Sequence, residues 1–174
     1  MEDLGRDEGM DSAVVMADMI CTDLTVLDAV HWSYWLAVSC YNWRDGLMYV
    51  DLEEHTYTIT KRLYEYGNFT KFIKPGAVRV ETELKGKELN AVSFDVDGGL
   101  VTVLVNSSGA EQTLTLNAQG YETVEMHLTD SAHNLEQVPV ATYVSGGQVK
   151  LPAKSVVTLV TVSYTHLTLP TIRL

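Results

Sequence analysis

The spacing of apolar positions changes once along this chain, and the change divides it into two parts. From Asp11 to Leu24, the residues Val14, Val15, Met16, Met19, Ile20 and Leu24 recur at helical spacing, with Asp11 or Ser12 placed as cap. Ala29–Ser39 is a nearly unbroken apolar and aromatic run, the pattern of a strand buried on both faces in a parallel sheet or barrel. After a polar loop, Leu47-Met48-Tyr49-Val50 reads as a short segment that pairs as an extra hairpin. A second helix is predicted from about Ile59 to Tyr66, capped by Thr58 and stopped by Gly67. Phe69, Phe72 and Ile73 prolong its stripe until Pro75-Gly76. Beyond Gly76 the period falls to two. The segments Val78–Glu83, Leu89–Val96, Leu100–Asn106, Gln112–Asn117, Thr123–Leu128, Gln148–Leu151 and Ser155–Val160 are predicted strands. Asp97-Gly98-Gly99, Asn106-Ser107-Ser108-Gly109 and Ser145-Gly146-Gly147 mark tight connections, so this part is an antiparallel β-sandwich or small barrel.

The order helix, buried strand, helix, then all-β places the chain in an α/β plus all-β class. A closed parallel barrel needs eight βα units, and little more than one is present here. The chain is therefore expected to be part of something longer, with Met1 an internal methionine or the first one after a fragment's edge.

Charge narrows the partners. With a net charge of −11, neither nucleic acid nor an anionic membrane surface suits it, and a neutral substrate fits better. Lys61, Arg62, Lys71 and Lys74 form the one basic stretch and read as a solvated helix face. Cys21 and Cys40 lack metal spacing and read as free thiols. No run is long and apolar enough to span a membrane. The opening Met1-Glu2-Asp3-Leu4 is acidic and polar, so no export signal is read in it.

Candidate chemistry is concentrated in one window. All three tryptophans fall between His31 and Gly46. In a strand, Ser33, Trp35, Ala37 and Ser39 share one face, and Trp32, Tyr34, Leu36 and Val38 the other. One face can pack into a core while the other lines a pocket, where flat aromatic rings suit the apolar faces of sugars. The competing reading makes all three core anchors. Elsewhere, Asp95-Val96-Asp97-Gly98 suggests calcium but lacks the remaining ligands, and it sits where a hairpin turn belongs. Asn106-Ser107-Ser108 carries the glycosylation pattern and reads as a turn.

Several stretches together resemble a known family: Met10-Asp11-Ser12-Ala13, His31-Trp32-Ser33-Tyr34-Trp35, Asp45-Gly46, Thr60-Lys61-Arg62-Leu63-Tyr64 and Gly67-Asn68-Phe69-Thr70-Lys71-Phe72-Ile73-Lys74-Pro75-Gly76-Ala77-Val78-Arg79-Val80. They resemble the C-terminal part of family 30 glycoside hydrolases, which include β-1,6-galactanases, xylanases and glucosylceramidase-like enzymes. The Gly67–Gly76 run is the most specific piece, and Leu151–Thr158 resembles the family's last sandwich strand. The resemblance covers roughly residues 10 to 160. It implies a (β/α)8 TIM barrel with a β-sandwich side domain. Residues 1–76 would be the end of the barrel (helix 7, strand 8, helix 8), and 77–161 the sandwich. It also implies a retaining mechanism with two glutamates about 5–5.5 Å apart. Both would lie upstream of Met1, so neither Glu2 nor Glu8 is assigned as nucleophile. No metal or cofactor is expected.

By this resemblance Trp35 matches a tryptophan lining the pocket beside the cleaved sugar. Tyr41, Asn42, Trp43 and Arg44, in the loop after strand 8, are candidates for flanking subsites at the barrel face where active sites sit. His31 and Trp32 are expected in the core. The expected substrate is a β-linked polysaccharide such as β-1,6-galactan or xylan, with the galactanase-like branch preferred. The full-length protein would be secreted, periplasmic or on the cell surface. This piece would lack the catalytic pair and be inactive, and its natural partner would be the missing N-terminal barrel. Without that barrel, bare strand edges and an open apolar face predict poor solubility. Residues 162–174, with Val162-Ser163-Tyr164-Thr165-His166-Leu167-Thr168-Leu169-Pro170-Thr171, resemble a translated sequencing adapter, which suggests a metagenomic fragment. The contrasting hypothesis is a non-catalytic carbohydrate-binding or scaffold module, which predicts an exposed aromatic platform on the sandwich among Phe94, Tyr121 and Tyr143.

Overall fold

The computed structural model describes residues 5–139 and 146–163. Helix α1, Met10–Thr25, is followed by strands β1, Val38–Ser39, β2, Met48–Asp51, and β3, Thr56–Ile59, and by helix α2, Lys61–Thr70. The all-β part comprises β4, Val78–Val80; β5, Leu89–Val96; β6, Gly99–Asn106; β7, Gln112–Thr115; β8, Tyr121–Thr129; β9, Glu136–Val138; β10, Gln148–Leu151; and β11, Ser155–Ser163. Of these, β9 was missed by the hydrophobic alternation.

The principal sheet has six antiparallel strands in the order β4-β5-β6-β11-β8-β9. Its two faces carry different layers, because neighbouring strand residues point to opposite sides. Val92, Phe94, Val103, Val105 and Val156 pack with Met10, Ala13, Val14, Met16, Ala17, Ile20 and Cys21 of α1 and Phe69 of α2. Ala91, Leu104, Met126, Leu128, Val157 and Leu159 face Val149 and Leu151 of the two-stranded β7–β10 sheet. The helices thus share a core with the sandwich, and the expected α/β plus all-β class holds. The β5–β6 hairpin turns on Asp97 and Gly98 at φ 53° and 79°, the left-handed pair that a two-residue Asp-Gly turn needs. The Asp95 carboxylate accepts the Gly98 amide, so this stretch is a turn. Asn106 is also structural: its fully buried amide donates to the carbonyls of Ala110, Leu151 and Pro152.

Four expectations about local structure need correction. The run Ala29–Ser39 is strand only at Val38–Ser39, which pairs in parallel with β2. A strand buried on both faces needs a neighbour on each edge, and among the described residues β1 has β2 alone. The second helix starts later, because Thr56–Ile59 pairs with β2 as the far arm of a hairpin. Gly67 does not stop α2; it lies within it, and a Cβ there would stand 2.7 Å from Leu135 Cδ2, so glycine makes room for a side chain from the β8–β9 connection. On α1, Val15 and Met19 are exposed, and the cap is neither Asp11 nor Ser12. Asp7 does that work by accepting the amides of Gly9 and Ser12 at 2.9 and 3.1 Å. The tail expectation falls outside the described residues from Tyr164 onward, while Val162 and Ser163 belong to β11 and pair with Glu122 and Tyr121.

Helix α2 is fixed to the sheet by a buried polar lock. The Asn68 amide donates to Thr158 Oγ1 at 2.9 Å and to the His127 carbonyl at 3.3 Å, and its oxygen accepts from Thr129 Oγ1 at 2.6 Å. Thr158 Oγ1 in turn donates to the Asn68 carbonyl at 2.7 Å. Every polar atom of the side chain is satisfied; removing it strands the buried Thr129 hydroxyl proton, while Thr158 Oγ1 loses a donor but keeps its bond to the Asn68 carbonyl. Asn68→Ala is expected to destabilise the chain by about 2–4 kcal/mol, read as a lowered urea midpoint with an unchanged slope.

Candidate substrate-binding rim

The tryptophan window is a folded-back loop whose backbone is held from outside. From Trp32 to Ala37 the exposure alternates as a strand would: Trp32, Tyr34 and Leu36 are half-buried, and Ser33, Trp35 and Ala37 are exposed. The alternation then inverts, with Val38 exposed and Ser39 buried. Trp32 donates its indole N–H to Asp23 Oδ2 at 2.9 Å and packs against Tyr34 and Tyr66, so it anchors the loop to the helices as expected. His31, expected in the core, is exposed, because no strand forms there to carry it inward.

Trp35 is 83% exposed. Tyr41 and Trp43 are 59% and 64% exposed, with rings stacked at 5.6 Å between centroids and 29° between planes. Asn42 and Arg44 are exposed beside them. The Asn42 side-chain oxygen accepts the Arg6 amide at 3.4 Å. The five candidate residues are therefore all exposed, offering stacking faces and hydrogen-bonding groups on one folded-back loop, and none of them is a carboxylic acid. Backbone bonds from Leu36 to Asp45, from Leu47 to Leu36 and from Met48 to Ala37 close the loop onto the segment bearing Trp35.

Behind the rim lies a residue misread from the sequence. Arg62, expected on a solvated face, is 2% exposed. Its guanidinium donates to the Asp7 carbonyl (2.9 Å), Ser12 Oγ (2.6 Å), the Gly46 carbonyl (2.6 Å) and the Tyr49 hydroxyl (3.0 Å). Helical spacing alone could not distinguish this position from Lys61, whose ammonium reaches the His133 carbonyl and Asn134 Oδ1. Arg6 and Tyr49 were also missed. Arg6 donates to the carbonyls of Cys40 and Tyr41, and its guanidinium lies 4.6 Å from the centre of the Tyr49 ring. No sequence signal singled out Arg6.

The electrostatics follow from burial. Burial works to raise the Asp7 carboxyl, but hydrogen bonds from Gly9 and Ser12 and the nearby Arg44 charge prevail and hold it below its ordinary range. Glu65, one turn beyond Arg62, is fully buried with neither carboxyl oxygen hydrogen-bonded. Burial raises it well above its ordinary 4.5, and the Arg62 charge offsets this only in part. Burial, with the charges of Asp18 and Glu65, pushes the Cys21 thiol up as well. Cys21 and Cys40 are both free thiols. Among the described residues, no group of three or more His, Cys, Asp or Glu is placed to hold a metal, and no helix is long and apolar enough to cross a membrane.

Comparison with known proteins decides the lineage. The profile of O-Glycosyl hydrolase family 30 matches residues 1–49, and that of the Glycosyl hydrolase family 30 beta sandwich domain matches residues 76–159. The chain belongs to glycoside hydrolase family 30. Glucuronoxylanase XynC of Bacillus subtilis (strain 168) is 34% identical over 108 residues, which are 59% of this chain and 25% of that protein. The catalytic domain of GH30 xylanase C from Talaromyces cellulolyticus superposes with a TM-score of 0.77 at 25% identity, over 92% of this chain and 39% of its own. A conserved exported protein from Bacteroides fragilis gives 0.75 at 25% identity, over 92% and 36%. The chain thus spans a quarter of the curated relative and under two-fifths of these solved structures. Of these three, the two with a named activity are xylanases, in contrast to the galactanase-like branch expected from the sequence.

Glu65 makes stability in this family 30 chain depend on pH. Its folded-state pKa is raised, so its contribution is complete below about pH 4.5 and is lost as pH rises through the folded value. Asp7 and Asp130, both lowered, are already ionised above pH 5. The urea midpoint is expected to fall between pH 5 and pH 8, and Glu65→Gln to flatten that fall. Equal slopes in both proteins would show that Glu65 ionises freely in the fold.

Proposed function

We propose that the complete protein is a retaining glycoside hydrolase acting on a β-linked polysaccharide, with xylan ahead of β-1,6-galactan. In this reading the present chain supplies the aromatic rim and the side sandwich, and the two catalytic glutamates come from the preceding barrel. The observation that carries it is the exposure, on one folded-back loop, of Trp35 and of the stacked Tyr41–Trp43 pair. Large rings left in water, on a loop whose backbone is tied down at many points, suit a neutral glycan whose pyranose faces are themselves flat and apolar. The xylanase relatives support xylan over galactan. The exported relative supports action outside the cytoplasm. A stand-alone binding module fits less well: in the sandwich Phe94 is buried and Tyr121 half-buried, while Tyr143 lies outside the described residues.

The role of the rim is to place a sugar against groups supplied by the rest of the barrel. Small displacements of a bound substrate cost about 100-fold in rate, so Trp35 should matter for turnover and the outer pair mainly for affinity. The test is hydrolysis of xylan and β-1,6-galactan by the full-length protein. Release of reducing ends from xylan is expected, with the 174-residue chain inactive by itself. Trp35→Ala should lower kcat/KM on xylan by roughly 100-fold. Faster hydrolysis of galactan than of xylan would reverse the substrate order. Unaltered kinetics in Trp35→Ala would remove that residue from the site.

A further inference from the structure

The loop bearing Tyr41 and Trp43 is exposed, yet its carbonyls are not left to water. Arg6 takes those of Cys40 (3.1 Å) and Tyr41 (2.9 Å), the Tyr49 hydroxyl donates to that of Trp43 (2.6 Å), and Arg62 takes that of Gly46 (2.6 Å). These three side chains form one assembly centred on Tyr49. Its ring is 1% exposed and lies beneath the Arg6 guanidinium, and its hydroxyl accepts from Arg62 while donating to Trp43. Gly46 closes the other side: a Cβ there would fall 2.7 Å from the Met48 carbonyl oxygen, 3.0 Å from Ser39 Cβ and 3.2 Å from the Tyr49 ring. The loop backbone is therefore pressed onto Tyr49 at Gly46 and tied to it at Trp43.

We propose that Tyr49, clamped between Arg6 and Arg62, is a positioning residue that presets the Tyr41–Trp43 pair as a stacking platform for the sugar units of a neutral polysaccharide. This rests on the reading of the chain as part of a polysaccharide hydrolase, and it assigns a function to a buried phenol that touches no substrate. Two exposed rings on an untethered loop would lose rotational and backbone freedom on binding, at about 0.5–1.5 kcal/mol for each side chain immobilised. The clamp removes that cost in advance. Its effect therefore belongs to binding, and the bond-breaking step does not depend on it.

The test compares Tyr49→Phe with the native protein by two readouts. Phenylalanine keeps the ring under Arg6 and deletes only the hydroxyl that joins Trp43 to Arg62. In the 174-residue chain, the hydrogen-bonded amides that close the loop, Leu36, Tyr41, Leu47 and Met48, are expected to exchange with solvent deuterium at least about tenfold faster, with β5, β6 and β11 unchanged. In the full-length protein, KM for xylan should rise about three- to tenfold with kcat within twofold, converting the immobilisation cost above into affinity. Arg6→Lys, at an exposed position, should loosen the same amides without threatening the core. Unchanged exchange at Leu36, Tyr41, Leu47 and Met48 in both variants would overturn the clamp. Faster exchange with an unchanged KM would overturn the platform. Activity of the native protein on xylan reports separately on the enzymatic assignment, because both clamp readouts are ratios of variant to native and the exchange readout needs no turnover.

Discussion

A buried guanidinium organises the first part of this chain. Arg62 leaves water entirely, which costs several kcal/mol for an ion of this kind. The position is tolerated because four hydrogen bonds meet the charge, to Asp7, Ser12, Gly46 and Tyr49. Those partners come from the segment before α1, from α1, from the end of the aromatic loop and from β2. One side chain thereby fixes where four pieces of backbone sit relative to α2. Glu65, without hydrogen bonds and raised by burial, is a companion acid and no strong ion-pair partner. The carbonyls and hydroxyls are what stabilise Arg62 in place.

Helix α2 is consequently attached at both ends. Near its start Arg62 holds the rim, and near its end Asn68 locks onto Thr158, Thr129 and the His127 carbonyl of the large sheet. The aromatic rim and the β-sandwich are thus coupled through a single short helix. This explains why the helices and the sheet share one apolar core. It also gives a physical meaning to the run Gly67-Asn68-Phe69: room for Leu135, a polar lock, and an apolar anchor. The sandwich in this family 30 chain is the foundation on which the aromatic loop is held.

How much was legible depended on the range of the interactions. The β5–β6 hairpin follows from local alternation and from its Asp97-Gly98 turn, because a hairpin's register is set by residues close in sequence; β10 and β11 were legible as alternation alone, and their pairing with β7 and with β6 and β8 was not. The rim was legible as composition, since Trp35, Tyr41 and Trp43 stand out in any reading. The strand expected at Ala29–Ser39 failed because a strand exists only with partners, and a run of apolar residues does not say whether they are present. Gly67 was misread as a stop because its role is a contact with Leu135, far along the chain.

The sequence by itself determined the two-part α/β and all-β character, most of the sandwich strands, the free thiols, the family and the aromatic window. Those properties are written in local spacing, in residue type or in motifs short enough to recognise. Tertiary structure alone decided that Arg62 is buried while its neighbour Lys61 reaches the surface. It alone decided that Asp7 caps α1, and that Trp35 and the Tyr41–Trp43 pair are exposed while Trp32 anchors the loop. Each of these outcomes turns on which distant groups are close enough to hydrogen-bond or to exclude water, and only the folded arrangement of the chain fixes that.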